Sequence, residues 1–394
     1  MTVTPSTVRD SNVQQPETRW TVPLADVVVD AELEEAAMQA VRSGWWSMGP
    51  RVAEFESAYS EFCGARFAFA VANGTAALHL ALLAVGCKPG DEVLVQSLNF
   101  VAAANSIVHT GATPVFCDIE GTGNLNVAPE DIEAAIGPAT KAMIVMHYGG
   151  HPCRMDEILE IAERHGVTVI EDAAHAPGAT LRGRMCGTFG AIGCFSFFSN
   201  KNLPVGEGGM VVTSDETLAQ RIKLLRSHGM TTLTWDRARG HADSYDVVVR
   251  GFNYRLDEVR AAMGLVQLRR LEEQNAARAA IVARYRNDLD GVGGIEVPFP
   301  PTEDARPSYH LAVIVLPSDR PRAEFRAGLA VRRIQTSVHY PPIHQFSAYR
   351  ELGERRPLPH TDAVADRIVT LPLYPHMSDE AVSAVTQAVT EAAQ

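Results

Sequence analysis

The sequence predicts an α/β protein, with a large domain on a mostly parallel sheet followed by a smaller α+β C-terminal domain. Three observations predict it. Between about residues 67 and 215, short apolar runs alternate with helical patterns. Beyond about residue 255 the texture changes to long helical patterns with a single strand-like run. The chain has 394 residues, enough for two or three domains at roughly 100–200 residues each. The division read from these patterns is a polar tail at 1–18, a large domain at 19–255 and a small domain at 256–394.

The elements follow in order. FAFAVAN (67–73) reads as a strand and runs into the helical GTAALHLALLAVG. EVLVQS (92–97) precedes FVAAANSIVHTG, and TPVFCDI (113–119) precedes APEDIEAAIG. KAMIVMH (141–147) precedes MDEILEIAERHG, where Met155, Ile158, Leu159 and Ala162 share one helical face. TVIEDAA (168–174) follows. Strands this apolar, separated by helices, are those of a sheet covered on both faces. AIGCFSFF (191–198) and MVVTS (210–214) read as two further strands with no helix between them. DETLAQRIKLLRSHG (215–229) aligns Leu218, Ile222 and Leu225 on one face. A polar loop (about 230–250) leads to helical patterns from Leu256 to about Leu289, then to the strand-like HLAVIVLP (310–317) and a Pro-rich HYPPIHQ. EAVSAVTQAVTEA closes the chain on a helix.

Composition excludes several classes. With 35 basic and 47 acidic residues the net charge is −12, which argues against binding to a nucleic-acid backbone. No stretch approaches the roughly 18 consecutive apolar residues of a membrane helix, and the N-terminus lacks a signal-peptide core. The six cysteines form no CxxC pair, so neither a disulfide framework nor a zinc site is indicated. A soluble cytoplasmic protein is expected.

Ligands of an open parallel sheet bind beyond the carboxyl ends of its strands. Three segments there carry chemistry. Asn73-Gly74-Thr75-Ala76 opens a helix, either as a plain N-cap turn or as an anion cradle of backbone amides. It is neither a Walker loop nor a GxGxxG fingerprint. Glu171 and Asp172 end a strand just before His175; an acid there can cap a helix, form a salt bridge, or pair with a metal or a cationic ring nitrogen. Lys201 leaves the aromatic run CFSFFSNKNLPVGEGGM, either as a structural lysine beside Gly206, Gly208 and Gly209 or as a nucleophile, since partial burial favours the neutral amine that a Schiff base requires. The chain has only three other lysines, Lys88, Lys141 and Lys223, and each reads as a solvated surface charge.

Together, Gly74-Thr75, EDAAHA, FSFFSNKN…GEGGM and GFNYRLDEVRAAMGLVQL resemble the DegT/DnrJ/EryC1/StrS sugar aminotransferases, enzymes of fold type I that use pyridoxal 5′-phosphate (PLP). The resemblance runs from GWWSMGPRVAEFE (44–56) to VTLPLYPHMS (369–378). It implies roles residue by residue. Lys201 holds PLP through a Schiff base and moves a proton between substrate and cofactor, while Asp172 pairs with the pyridine nitrogen. Phe100 stacks on the ring, or is simply core. Ser196 binds the phosphate with the amides of Gly74 and Thr75. His175 stands where many members carry Gln near the ring hydroxyl. Asn253 reaches the phosphate of a neighbouring subunit, so the active unit is a homodimer with shared sites. Trp45, Trp46, Ser47, His339 and Tyr340 are candidates for the sugar-nucleotide site; the tryptophans serve equally as packing at a dimer seam, and His339 as a satisfied loop histidine. Arg250 and Arg255 are candidates for a diphosphate or carboxylate, with surface salt bridging an even alternative.

Members that dehydrate sugars carry histidine in place of the lysine, so Lys201 favours transamination. The expected reaction moves an amino group from L-glutamate to a nucleotide-linked keto-sugar, a dTDP-4-keto-6-deoxyhexose first among them. The alternatives are a 3-keto sugar nucleotide, a keto-inositol, or a non-catalytic protein that binds PLP or a sugar nucleotide.

Overall fold

The computed structural model describes residues 20–232, 235, 237, 239–240, 244–353 and 356–394. The expected tail at 1–18 and part of the loop at 230–250 lie outside the described residues.

Helices α1 (Ala31–Arg42) and α2 (Pro50–Cys63) precede the first strand. The central sheet uses β1 (Phe67–Val71), β2 (Glu92–Gln96), β3 (Thr113–Cys117), β6 (Thr140–Met146), β7 (Thr168–Asp172), β10 (Ile192–Ser196) and β11 (Gly209–Thr213). Each starts within one residue of the run that predicts it and ends within two. Their order is β1-β11-β10-β7-β6-β2-β3. The pairs from β10 through to β3 are parallel, and β11 runs antiparallel to both its neighbours. The twelve residues 197–208 join β10 to β11 with no crossover helix to carry the chain back to the other sheet edge, so β11 returns antiparallel.

The crossovers are α3 (Gly74–Ala84), α4 (Ala102–His109), α5 (Pro129–Ala135) and α6 (Met155–His165), with α7 (Glu216–Arg226) after the sheet. Both faces of the sheet are buried, and alternate residues of one strand enter different cores. In β6, Ala142 and Ile144 join α3 and α4, whereas Met143 and Val145 join α6. In β11, Val211 faces the first core, while Met210 and Val212 face α2 and the long helix Glu258–Leu289. Each such side chain contributes about 1.5–3 kcal/mol by leaving water. The face of α6 is shifted from the predicted one: Met155, Ile158, Ile161 and Ala162 are buried, while Leu159 is half-buried. On α7, Ile222 and Leu225 are buried with Ala219, and Leu218 lies at the edge. All six cysteines are free and buried.

Two short hairpins give no alternating signal in the sequence: β4 (Ile119–Gly121) with β5 (Asn124–Val127), and β8 (Thr180–Leu181) with β9 (Arg184–Met185). Strand β12 (Ala305–Arg306) extends the second of them. The C-terminal core pairs β13 (Ala312–Val315) with β14 (Ile368–Leu371) and packs the helices Arg322–Val331 and Asp379–Ala393 against them. Val22 joins that core through a bridge to Ile334. The long helix contributes Leu265 and Leu271 to one core and Ile281, Val282 and Tyr285 to the C-terminal one. Among the described residues no helix is long and apolar enough to cross a membrane.

Candidate active site

The carboxyl ends of β1, β2, β7 and β10 meet at one sheet edge, as their parallel directions dictate. A cavity of about 400 Å³ opens there, within the size range of small-ligand clefts. Gly74 and Thr75 form one wall, with Ser196 opposite. Phe100 follows β2, Asp172 ends β7 with His175 just after it, and Lys201 lies beyond β10. His339 and Tyr340 close the cavity from the C-terminal core.

Asn73 caps α3 by accepting the amide N–H of Ala76 at 2.8 Å. The amides of Gly74 and Thr75 precede the helix's own bonding pattern and remain available to an anion. A side chain at 74 does not fit, because a Cβ there meets Ser196 Cβ at 2.9 Å and Oγ at 3.3 Å. Gly74→Val should therefore cut retention of a phosphate-bearing cofactor roughly tenfold or more while the fold survives. Cofactor absorbance remaining after desalting is the measurement, and full retention contradicts the cradle.

Asp172 is 5% exposed and makes no ion pair among the described residues; its carboxylate accepts one hydrogen bond among them, from the Ala174 amide at 3.2 Å. Burial raises its proton affinity, while the Lys201 charge opposes that rise. Burial also lowers Lys201, to about 8, against the pull of Asp172. Lys201 is partly open to the cavity, whereas Lys88, Lys141 and Lys223 are exposed. Beneath Asp172, Glu171 is fully buried and accepts from the amides of Gly187 (2.7 Å) and Gly190 (2.6 Å) and from His147 Nε2 (2.9 Å). Burial disfavours a charged His147, while Cys186 and Glu171 favour one. The Cys153 amide donating to His147 Nδ1 at 3.1 Å settles the ring as neutral, its one proton on Nε2. This buried network fixes the end of β7 and so the height of Asp172.

Two other histidines have legible protonation. His175 Nδ1 accepts the Gly149 amide at 3.3 Å, so its proton lies on Nε2, 2.9 Å from the Tyr340 hydroxyl. Burial, and then the Lys201 charge, hold its pKa well below the usual 6.5. His339 is lowered to about 4 for the same two reasons, and its Nδ1 lies 2.9 Å from Thr370 Oγ1. Phe100 is 54% exposed, so it is not core; its ring meets Tyr340 at 5.6 Å.

The remaining candidates lie outside the cavity. Asn253, Arg250 and Ser47 are exposed, and Trp46 is 60% exposed. Trp45 packs edge-on against Trp235 at 4.7 Å, on a turn that Glu258 secures by accepting the amides of Gly49, Arg51 and Val52. Arg255 is partly buried, and its Nη1 is buried with no hydrogen-bond partner. Sequence reasoning missed three residues at the site. Asn99 is buried at the cavity wall with an unpartnered Nδ2, Glu207 lines the mouth, and His310 lies 3.3 Å from Lys201 Nζ. The GEGGM motif contained the signal for Glu207. His310 sits 109 positions from the lysine, inside a run that reads only as a strand.

Residues 28–390 match the model of the DegT/DnrJ/EryC1/StrS aminotransferase family. The chain belongs to this family. It is 41% identical over 367 residues to the spore coat polysaccharide biosynthesis protein SpsC of Bacillus subtilis, covering 91% of this chain and 94% of that protein. The crystal structure of the aminotransferase TlmJ from Streptoalloteichus hindustanus superimposes with a TM-score of 0.88 at 34% identity, covering 94% of this chain and 98% of that one. The PLP form of the sugar aminotransferase Spr1654 from Streptococcus pneumoniae gives a TM-score of 0.87 at 26% identity, over 94% and 98% of the two chains. As a DegT/DnrJ/EryC1/StrS member, the chain has the α/β fold of the fold-type I enzymes and is a PLP-dependent sugar aminotransferase.

Proposed function

We propose that this aminotransferase moves an amino group from L-glutamate to a nucleotide-linked keto-sugar, a dTDP-4-keto-6-deoxyhexose first among them, as a homodimer with shared active sites. The observation that carries the reading is the convergence of Lys201, Asp172, Ser196 and the Gly74-Thr75 amides on one cavity. The residues suit PLP. Asp172 is a buried carboxylate lacking a cation, Asn99 Nδ2 is a buried donor lacking an acceptor, and Gly74 leaves open a cradle that a Cβ would fill.

When bound, PLP supplies an electron sink for the carbon that carries the migrating amine. Lys201 is the amine that attaches the cofactor, and its free Nζ, lowered to about 8, holds or releases a proton near neutral pH. Asp172 holds a protonated ring nitrogen. Ser196 and the amides of Gly74 and Thr75 hold the phosphate. His175 presents its Nε2 proton to Tyr340, so the Tyr340 hydroxyl proton is free to turn to the cavity. His339 and Tyr340, with Phe100, border the space left for the sugar.

The dimer is supported by what a single chain leaves open. Phe100 and Phe198 border the cavity yet are 54% and 43% exposed, and Trp46 and Val247–Val249 form further exposed apolar surface. Asn253 and Arg250 project from the same loop region, where a second copy's phosphate or diphosphate would meet them.

Turnover of a ketone panel with L-glutamate and purified protein tests the reading. The expected result is a new amine on the 4-keto sugar nucleotide, with the 3-keto isomer and a keto-inositol at least roughly a hundredfold slower. Reversed preference reassigns the acceptor. No reaction with any sugar nucleotide sinks the proposal.

A further inference from the structure

We propose that His310 is a positioning residue for Lys201: its imidazole, locked in one tautomer by Asn202 and Asn275, accepts a hydrogen bond from Nζ and keeps that amine aimed into the cavity. The inference rests on Lys201 being the reactive amine of the proposed function.

Two backbone carbonyls, whose polarity is unambiguous, orient the whole chain of groups. Asn275 Nδ2 donates to the carbonyl oxygen of Pro177 at 2.9 Å, so its Oδ1 is an acceptor. Asn202 Nδ2 donates to that Oδ1 at 2.8 Å and to the Ser308 carbonyl at 2.7 Å. Asn202 Oδ1 therefore faces His310 Nδ1, at 3.1 Å, and can only accept. His310 must carry its proton on Nδ1, which leaves Nε2 as a bare acceptor, 3.3 Å from Lys201 Nζ. Asn202, Asn275 and Ser308 are buried, and His310 is 7% exposed, so water is a poor substitute for any of these partners. Burial, followed by the Lys201 charge, holds His310 well below its usual pKa, so it accepts the hydrogen bond without taking the proton.

An ammonium donates a stronger hydrogen bond than an amine. His310 therefore favours protonated Lys201, working with Asp172 and against burial. The carboxylate of Glu207 lines the cavity mouth, and Arg278, a buried guanidinium, lines the cleft on the far side of Lys201. His175 and His339 are neutral, and Tyr340 and Tyr374, both raised by burial, add no charge. With one N–H held by His310, the direction in which Nζ presents itself to the cavity is set rather than free.

The scarcity of lysine gives a direct test. Cofactor-free protein is labelled with acetic anhydride across a pH series, and acetylation of Lys201 is quantified by peptide mass spectrometry. The exposed Lys88, Lys141 and Lys223 serve as internal standards. His310→Leu removes the acceptor and should lower the Lys201 labelling midpoint by roughly one pH unit, while His310→Gln, which restores an acceptor, should stay near wild type. Asn202→Ala keeps the ring but releases its tautomer, and should lower the midpoint by less; it replaces His310→Leu if that variant does not fold. An unchanged midpoint in either folded variant overturns the proposal, as does equal loss in His310→Gln and His310→Leu. In the cofactor-loaded enzyme, His310→Leu should lower kcat of the glutamate half-reaction roughly tenfold with KM nearly unchanged. If wild type takes up no PLP at all, the functional reading fails, and the labelling series still decides the role of His310.

Discussion

Lys201→Ala should abolish amination, lowering the rate roughly 10⁵-fold or more, because the described residues offer no second amine at the cavity. The other three lysines are exposed on the surface, and the arginines stay protonated and cannot substitute. The loss should be chemical rather than structural. Lys201 follows β10 in a loop, makes no ion pair among the described residues, and has His310 as its hydrogen-bonding neighbour. The variant should therefore fold and still hold PLP non-covalently through Ser196, Asp172 and the amides of Gly74 and Thr75. Truncation leaves a space into which a small primary amine fits, so added ethylamine should restore part of the rate. Single-turnover kinetics with L-glutamate, with and without ethylamine, measures both effects. Retention of more than about one hundredth of wild-type activity in the bare variant would contradict the role of Lys201.

Asp172→Asn should cost roughly 10³-fold in the same half-reaction with little change in thermal stability. The substitution preserves shape, so the Ala174 amide keeps an acceptor, and the Glu171 network below is untouched. The negative charge is lost. A ring nitrogen facing a neutral amide is no longer held protonated, and the electron sink weakens. The charge also supports protonation of Lys201, so the Lys201 midpoint should fall below about 8 in this variant. Activity and a lysine-labelling midpoint that both match wild type would remove Asp172 from the account.

Most of the fold could be read from the chain because burial on both sheet faces leaves a strong mark. Runs such as KAMIVMH and MVVTS have no polar alternation, and a buried strand of a covered sheet needs none. The hairpin at Ile119–Val127 could not be read, since its polar and glycine residues look like loop. The 3.6-residue period places Leu159 on the buried face of α6, whereas the face that packs is centred toward Ile161. The site divides in the same way. Gly74, Asp172, Ser196 and Lys201 end or follow strands whose direction is predictable, so their meeting at one edge is too. His310 reaches Lys201 from just before β13, and Asn275 on the long helix reaches Asn202, at separations that no local pattern records. Trp45, Trp46, Ser47, Arg250, Asn253 and Arg255 lie off the cavity of a single chain, and the phosphate or diphosphate proposed for Arg250 and Asn253 belongs to a second copy.

The central claim, that Lys201 and Asp172 form the working centre of a glutamate-dependent sugar aminotransferase, is tested most directly by the visible absorption spectrum of PLP-loaded protein before and after L-glutamate. The account predicts a band from lysine-bound cofactor that bleaches with glutamate, returns on addition of the 4-keto sugar nucleotide, and is absent from Lys201→Ala. A wild-type band that no amino donor bleaches, or one that persists in Lys201→Ala, would contradict it.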